Sequence, residues 1–199
     1  MLSRHTHYKN GQVVKKSRMR FVSLAISLVL IGAGVYLLLI LRAPNVEPLS
    51  QQQQQAFIPE EIGDSRIIIP KISVNAELKS GDVSALQSGA WHRFPERGNP
   101  VDGGNFIISA HRFVSARTPA QTKELSYFYN IDKLAVGDEI LADWRHQRYK
   151  YRISEIKTVA PTQVDIEAES SDAKMTLYTC TLKGDKDGRV VIIAEPVSS

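Results

Sequence analysis

Residues 174–194, KMTLYTCTLKGDKDGRVVIIA, contain two apolar stretches separated by a hydrophilic one. Lys174–Cys180 (KMTLYTC) and Arg189–Ala194 (RVVIIA) are rich in β-branched and aromatic residues, which favours β-strands. Lys183–Gly188 consists only of Lys, Gly and Asp, a composition typical of a turn. If the two strands pair as a hairpin, Cys180 and Arg189 face each other across one loop.

Similar short strand patterns run back from this hairpin to about residue 57. Tyr149, Tyr151 and Ile153 alternate with polar residues, which is the period of a half-buried strand. A proline at position 70 predicts an edge strand or a bulge, and Asp82 is placed to cap a short helix. Seven or so strands in about 143 residues predict an antiparallel sandwich or a closed barrel. Besides the two above, the predicted strands are Arg66–Ile72, Asn105–His111, Glu139–Trp144 and Arg148–Thr158.

A membrane anchor is predicted at Phe21–Leu41, which is 21 residues long and carries no charge. At about 1.5 Å per residue, a helix of this length spans roughly 30 Å, the thickness of a bilayer core. A cleaved signal peptide has a shorter apolar region and a small-residue cleavage site, which Leu41-Arg42-Ala43 does not offer. Six basic residues precede the span and one follows it closely, which predicts a single pass with the N-terminus in the cytoplasm.

The charge distribution follows the same division of the chain. We predict a basic cytoplasmic tail (1–20), the anchor (21–41), a Gln- and Pro-containing linker (42–56) and an extracytoplasmic domain (57–199). The net charge of the 199 residues is +4, but the seven basic residues up to Arg42 have no acidic residue among them. The rest of the chain carries 18 basic and 21 acidic side chains, a net of −3. The basic character therefore belongs to the tail, and nucleic acid is not a predicted partner.

Cys180 is the only cysteine, which excludes an intramolecular disulfide framework and a Cys-based zinc cluster. Outside the membrane, an unpaired thiol is a candidate reactive group. A thiol nucleophile needs a neighbouring base. Two of the five histidines precede the anchor and a third lies in a predicted hairpin turn. His111 ends a predicted strand, as Cys180 does, and His92 lies just before a loop, so these two remain as candidates.

Together these residues resemble the sortases, membrane-anchored cysteine transpeptidases of bacterial cell surfaces. Thr176–Cys180 (TLYTC) is similar to the family's TLxTC signature, and Ser109–Arg112 (SAHR) to its small-residue–His motif at a strand end. Arg189, nine residues after the cysteine, lies where the family has its catalytic arginine. The resemblance covers roughly residues 66–197.

The resemblance implies a mainly β fold, a closed eight-stranded barrel with short helices, and a two-step acyl transfer. Cys180 would attack the Thr carbonyl of an LPxTG-like sorting signal and form a thioester. His111 would protonate the leaving amine and later deprotonate the incoming one, while Arg189 would hold the carbonyl or stabilise the oxyanion. Thr179 and His92 are further candidates for substrate contacts.

The implied partners are surface proteins that carry a sorting signal, together with an amine acceptor on a peptidoglycan precursor or a pilin. The implied location is the bacterial cell membrane. No metal site and no cofactor are predicted. A calcium site needs carboxylates that converge from separate loops, and the spacing of Asp165, Glu167 and Glu169 does not indicate such convergence.

Two other interpretations remain open, an L,D-transpeptidase-like enzyme and a non-catalytic module, whereas the residue order is against a papain-like enzyme. L,D-transpeptidases carry a Ser-x-Gly-Cys-x-Arg arrangement, whereas Thr179 precedes and Thr181-Leu182 follows the cysteine here. Papain-like enzymes have the cysteine before the histidine, the reverse of the present order. A membrane-tethered β-barrel module for binding or assembly, with no chemistry of its own, belongs to a different class. Labelling of Cys180 by a thiol-reactive sorting peptide separates it from the enzyme.

Overall fold

An apolar helix opens the part of the chain that the computed structural model describes, which is residues 13–41 and 44–197. The chain divides into two units at residue 42, and the first contains helix α1 (Val13–Ile40). Its stretch Met19–Leu39 is long and apolar enough to cross a membrane, and its large apolar side chains are exposed. The helix runs through the segment predicted as the anchor and begins eight residues earlier.

Within residues 44–197, nine strands form one sheet in the order β3-β2-β1-β6-β7-β9-β8-β5-β4. Strand β3 also pairs with β5, which closes eight strands into a barrel and leaves the two-residue β4 outside it. The closed eight-stranded barrel is therefore confirmed. The strands are β1 (Ser65–Ile69), β2 (Val74–Lys79), β3 (Ala90–His92), β4 (Gly98–Asn99), β5 (Gly103–Ser109), β6 (Glu139–Trp144), β7 (Gln147–Val159), β8 (Lys174–Thr181) and β9 (Gly184–Pro196).

The strand directions differ from the expected all-antiparallel arrangement in two places. Strand β5 runs parallel to β8, with Ser109 paired to Tyr178, and β2 runs parallel to β3. The other pairings are antiparallel, and the predicted hairpin of Glu139–Trp144 with the following strand is confirmed as β6–β7. A parallel pair needs a long crossover, which here contains β6 and β7. The antiparallel expectation was wrong because hairpin patterns in a sequence report only local pairing.

Alternate residues of the strands fill the barrel interior. On β8, Met175 and Leu177 belong to the main buried cluster, and Thr179 is buried with them. The intervening Tyr178 belongs instead to a second, smaller cluster. That cluster lies on the outer face of the barrel, because successive side chains of a strand point to opposite faces. Its other buried members are Ile107, Val159 and Val191.

The sequence signals at Pro70 and Asp82 have different outcomes. Strand β1 is paired on both sides, so the predicted edge position is wrong. Pro70 lies just after the last residue of β1 and starts a 3-10 turn, where its missing N–H costs no ladder hydrogen bond. Asp82 does act as a cap, accepting a 2.9 Å hydrogen bond from the Ser84 N–H, although the element is a 3-10 helix. The described 3-10 segments are Pro70–Ile72, Val83–Gln87, Pro95–Arg97, Ile131–Lys133 and Asp165–Glu167.

Two short α-helices complete the second unit, α2 (Gln51–Phe57) and α3 (Pro119–Leu125). Helix α2 lies in the segment predicted to be a plain linker. It begins with a capping box, in which the side chains of Ser50 and Gln53 satisfy each other's backbone N–H groups. The Leu49 N–H donates to the Lys71 carbonyl at 2.9 Å. The described part of the segment therefore lies against the barrel.

We predict that Gly104→Ala is much more destabilising than Gly137→Ala. Both glycines have positive φ, +76° and +93°, so each alanine costs about 1–2 kcal/mol in backbone strain. A Cβ on Gly104 would lie only 2.4 Å from the Arg97 carbonyl oxygen, which adds about 1–3 kcal/mol. Among the described residues, no atom other than those of its chain neighbours lies within 4 Å of a Cβ on Gly137. Urea denaturation of the detergent-solubilised chain measures the difference, and equal losses would contradict the close approach at Gly104.

Candidate active site

Three side chains lie in one row at one end of the barrel. The parallel register of β5 and β8 pairs Ser109 with Tyr178, and two residues further along each chain are His111 and Cys180. On the other side of β8, Cys180 is directly opposite Arg189 of β9. Neighbouring strands are about 4.8 Å apart, so the histidine, the cysteine and the arginine occupy adjacent positions.

All three side chains belong to the outer face of the barrel. The residues just before His111 and Cys180, which are Ala110 and Thr179, are buried toward the interior, and Val190 after Arg189 packs against the main buried cluster. Because side chains alternate along a strand, His111, Cys180 and Arg189 point the other way. The site is therefore an open row on the outer face rather than a cavity inside the barrel.

Thr179 fastens the ends of the two strands that carry the histidine and the cysteine. Its hydroxyl donates a 2.7 Å hydrogen bond to the Ala110 carbonyl, and its side chain is only 1% exposed. The structure therefore places the Thr179 side chain in the barrel interior, and a substrate contact by this residue stays a prediction. Its role is to hold the end of β8 against the residue that precedes His111.

Among the described residues, the His111 ring has one side chain at hydrogen-bond distance. Its Nε2 lies 3.5 Å from Nε2 of Gln87, which ends the 3-10 segment Val83–Gln87. Its backbone carbonyl accepts a hydrogen bond from the Phe128 N–H at 3.2 Å. Burial lowers the pKa of His111, because the charged imidazolium loses hydration. The neutral imidazole, which can accept a proton, is therefore favoured. The sequence contained no signal for Gln87, which is one polar residue in a short segment distant along the chain.

Cys180 is half-buried and is a free thiol. The chain just beyond it is irregular. Thr181 pairs with Gly184 instead of following the register, so the residues 185–188 bulge out of β9. The predicted turn at Lys183–Gly188 is therefore a tight turn at 182–183 followed by this bulge. The Thr181 hydroxyl lies 2.7 Å from Oδ2 of Asp187, which ties the bulge to β8.

The bulge also holds the Arg189 guanidinium. Its Nη1 donates to the carbonyl oxygens of Asp185 at 2.7 Å and Gly188 at 3.1 Å. These bonds fix one nitrogen of a planar group whose several N–H donors suit a carbonyl oxygen or an oxyanion. The Arg189 side chain, which the predicted hairpin places opposite Cys180, is therefore held by backbone carbonyl groups of the bulge.

A network of polar side chains covers the next row down the outer face. The Tyr178 hydroxyl donates to Oε1 of Glu167 at 2.5 Å, and Arg93 Nη1 donates to the same hydroxyl at 3.1 Å. Nε of Arg93 also lies 3.1 Å from the Glu167 carboxylate. Burial raises the pKa of Tyr178, so the phenol keeps the proton it donates. The network fastens the connection between β7 and β8 onto the barrel just below Cys180.

Glu167, one of the carboxylates considered for calcium, thus has other partners. In residues 13–41 and 44–197, no group of three or more His, Cys, Asp or Glu side chains is arranged to hold a metal ion. The absence of a cofactor stays a prediction.

His92 does not belong to the row. Its side chain is 1% exposed, its Nε2 lies 3.1 Å from the Gly98 carbonyl, and its ring packs edge-on against Phe106 and Trp144. Burial lowers its pKa. His92 is therefore part of the barrel interior, apart from the row, and a substrate contact by it stays a prediction. A strand of three residues is too short for its alternation to be recognised in the sequence.

Comparison with known proteins gives the same assignment as the fold and the row. The sequence pattern of the sortase domain matches residues 67–197. Sortase A of Listeria monocytogenes is 29% identical over 131 residues, which are 65% of this chain and 54% of that protein. Sortase A of Bacillus anthracis is 27% identical over 136 residues, which are 67% of this chain and 60% of that protein. The match thus spans little more than half the length of these relatives.

Solved structures with similar folds are also sortases. A Clostridium perfringens Sortase D5 transpeptidase superposes with a TM-score of 0.55 at 28% identity, covering 75% of this chain and 90% of that structure. Sortase C-1 of Actinomyces oris has a TM-score of 0.56 at 26% identity, covering 79% and 88%. The structure is thus a closed β-barrel with a cysteine, a histidine and an arginine on its outer face. The chain belongs to the sortase family.

We predict that Thr179→Val loosens the loop that carries His111, whereas Thr179→Ser does not. Valine keeps the volume but leaves the Ala110 carbonyl without its donor, which costs about 1–3 kcal/mol. Serine keeps the hydroxyl. Amide hydrogen exchange read by mass spectrometry is expected to become faster in residues 109–113 of the valine variant only. Unchanged exchange in that segment would show that the hydroxyl does not hold the two strand ends together.

Proposed function

We propose that this protein is a cysteine transpeptidase that cleaves an LPxTG-like sorting signal and transfers the attached protein to an amine. The observation that carries the proposal is the row of His111, Cys180 and Arg189, in which Cys180 and Arg189 pair on β8 and β9 and His111 lies two residues beyond the end of β5. Membership of the sortase family supports it.

The first step of the proposed reaction forms a thioester. His111 takes the proton of the Cys180 thiol as the sulfur attacks the carbonyl carbon of the Thr residue in the sorting signal. Negative charge develops on the carbonyl oxygen beside the Arg189 guanidinium. When the C–N bond breaks, His111 gives a proton to the leaving amine. The C-terminal fragment departs and the N-terminal part stays bound to sulfur.

The second step transfers the acyl group. An incoming amine attacks the thioester carbonyl, and His111 takes a proton from its nitrogen. The C–S bond breaks, the sulfur takes that proton from His111, the new amide leaves and the cysteine is regenerated. The thioester retains acyl reactivity, so the new peptide bond needs no nucleotide. The lowered pKa of His111 supports this role, because a neutral imidazole is available to accept the proton.

The location we propose is the bacterial cell membrane, with the apolar helix as a single-pass anchor. The six basic residues that precede Phe21 favour a cytoplasmic N-terminus, which places the net-negative remainder of the chain outside. The domain division into tail, anchor, linker and outer domain is part of the same proposal. Surface proteins that carry a sorting signal are the donors, and an amine on a peptidoglycan precursor or a pilin lysine is the acceptor.

Intact-protein mass spectrometry tests the proposal directly. The detergent-solubilised chain is incubated with an LPxTG peptide, with and without triglycine as the amine. Wild type is expected to gain the mass of the N-terminal peptide fragment, and Cys180→Ala to gain nothing. His111→Ala is expected to lose about 10²–10⁴-fold in rate, and Arg189→Ala roughly 10²–10³-fold. Arg189→Lys, which keeps the charge without the planar fork, is expected to fall between.

His146→Ala provides the matched control, because this histidine is exposed at the turn between β6 and β7 and is expected to leave the rate unchanged. Absence of any adduct on folded wild-type protein would contradict the transpeptidase and favour the non-catalytic barrel module. Wild-type turnover by Arg189→Ala would refute the role given to that arginine alone.

A further inference from the structure

The residue after His111 is an arginine with a buried guanidinium. Arg112 is 5% exposed, and its Nη2 donates to Oδ1 of Asp132 at 2.8 Å. Its Nε and Nη1 are buried without a hydrogen-bond partner among the residues that the structure describes. Burying a guanidinium costs several kcal/mol unless a partner offsets it. The Asp132 carboxylate therefore offsets the cost of burying the Arg112 guanidinium, and Arg112 directly follows His111 in the chain.

The loop that continues from His111 rests along one neighbouring segment. The Val114 N–H donates to the Ser126 hydroxyl oxygen at 3.0 Å, and the Ala116 N–H to that of Thr122 at 3.1 Å. The His111 carbonyl is bound by the same segment through Phe128. Asp132 follows a few residues later, in the 3-10 turn Ile131–Lys133. Arg112 is thus the side chain by which this loop reaches the turn.

That turn is itself held by residues 44–50, which we call the strap. Asn130, 6% exposed, donates from Nδ2 to the Pro44 carbonyl at 2.9 Å and accepts at Oδ1 from the Val46 N–H at 3.2 Å. Lys133 Nζ also binds the Val46 carbonyl. The turn that carries Asp132 is therefore fixed on its far side, so Asp132 is a firm anchor point although its own side chain is 59% exposed.

We propose that Arg112 and Asp132 are positioning residues for His111: their ion pair holds the His111 loop down on the 126–133 segment, so that the imidazole stays in the row with Cys180. The proposal rests on the proposed function for the catalytic meaning of His111. Neither residue touches the reacting atoms in it. Breaking the pair releases the loop, exposes the imidazole to solvent and moves it away from the cysteine.

The His111 pKa distinguishes this role from a purely electrostatic one. The ionisable groups around the ring are Cys180 and Arg189 in its row and Arg112 next to it in the chain, with Asp132 behind. Asp132→Asn removes a negative charge, which by charge alone lowers the His111 pKa. Release of the loop has the opposite effect on the His111 pKa, because a less buried imidazole returns upward toward its ordinary pKa. One variant therefore gives opposite results for the two explanations.

The experiment measures exchange of the imidazole C2 hydrogen against pH, read peptide by peptide in the full detergent-solubilised chain. In Asp132→Asn the His111 pKa is expected to rise toward its ordinary value, with the buried His92 unchanged as an internal reference. Arg112→Met is expected to raise it likewise, and Arg112→Lys, which keeps charge and reach, to stay near wild type. The control variant is Arg148→Met, which breaks the ion pair between Arg148, at the start of β7, and the buried Asp143 of β6. This pair is remote from the row, so the His111 pKa is expected to stay unchanged.

A His111 pKa that falls or stays constant in Asp132→Asn would overturn the proposal. Since Asp132 is mostly exposed, that variant decides the matter even if Arg112→Met does not fold. In the peptide assay, Asp132→Asn is expected to lose about tenfold in kcat with KM unchanged, because the chemistry suffers and not the binding. The exchange measurement needs no substrate, so it gives its answer even if wild type fails to transfer peptides, an outcome that would contradict the proposed function only.

Discussion

The parallel pairing of β5 with β8 is the constraint on which the rest of the site depends. Parallel strands end at the same side of a sheet, so the last residues of β5 and β8 meet although about 70 residues of sequence lie between them. The register then fixes the face as well as the end. A shift of one residue would turn His111 into the barrel. The antiparallel partner β9 adds Arg189 to the same row, and its bulge holds the guanidinium there.

Several polar side chains hold this end of the barrel together. The Thr179 hydroxyl ties β8 to Ala110, the Tyr178–Glu167 contact covers the row below, and the Arg112–Asp132 pair holds the loop above. In each of these contacts, one partner is adjacent in sequence to a member of the row or two residues from it. A site on an open outer face has no enclosing walls, so its geometry depends on supports of this kind.

The sequence predicted the strands well where the pattern was long and the pairing local. Glu139–Trp144 has the predicted bounds, and its hairpin partner is one residue longer at each end than predicted. The parallel pairing could not be predicted from such patterns, because no local signal reports a distant partner. The expectation of an antiparallel sheet was wrong for the same reason. The burial of His92 could not be predicted, because β3 is too short to show alternation. The helix in the linker was readable, since Ser50 and Gln53 have the spacing of a capping box.

The central claim is that the side chains at positions 111 and 180 are neighbours on the outer face. A disulfide tests it, because the bond forms only when the two Cα atoms lie about 4.4–6.8 Å apart and the Cβ atoms point toward each other. After mild oxidation, His111→Cys is expected to lose the mass of two hydrogen atoms through a bond to Cys180. Ala110→Cys, whose side chain faces the interior, is expected to keep both thiols. Two free thiols in folded His111→Cys would contradict the account.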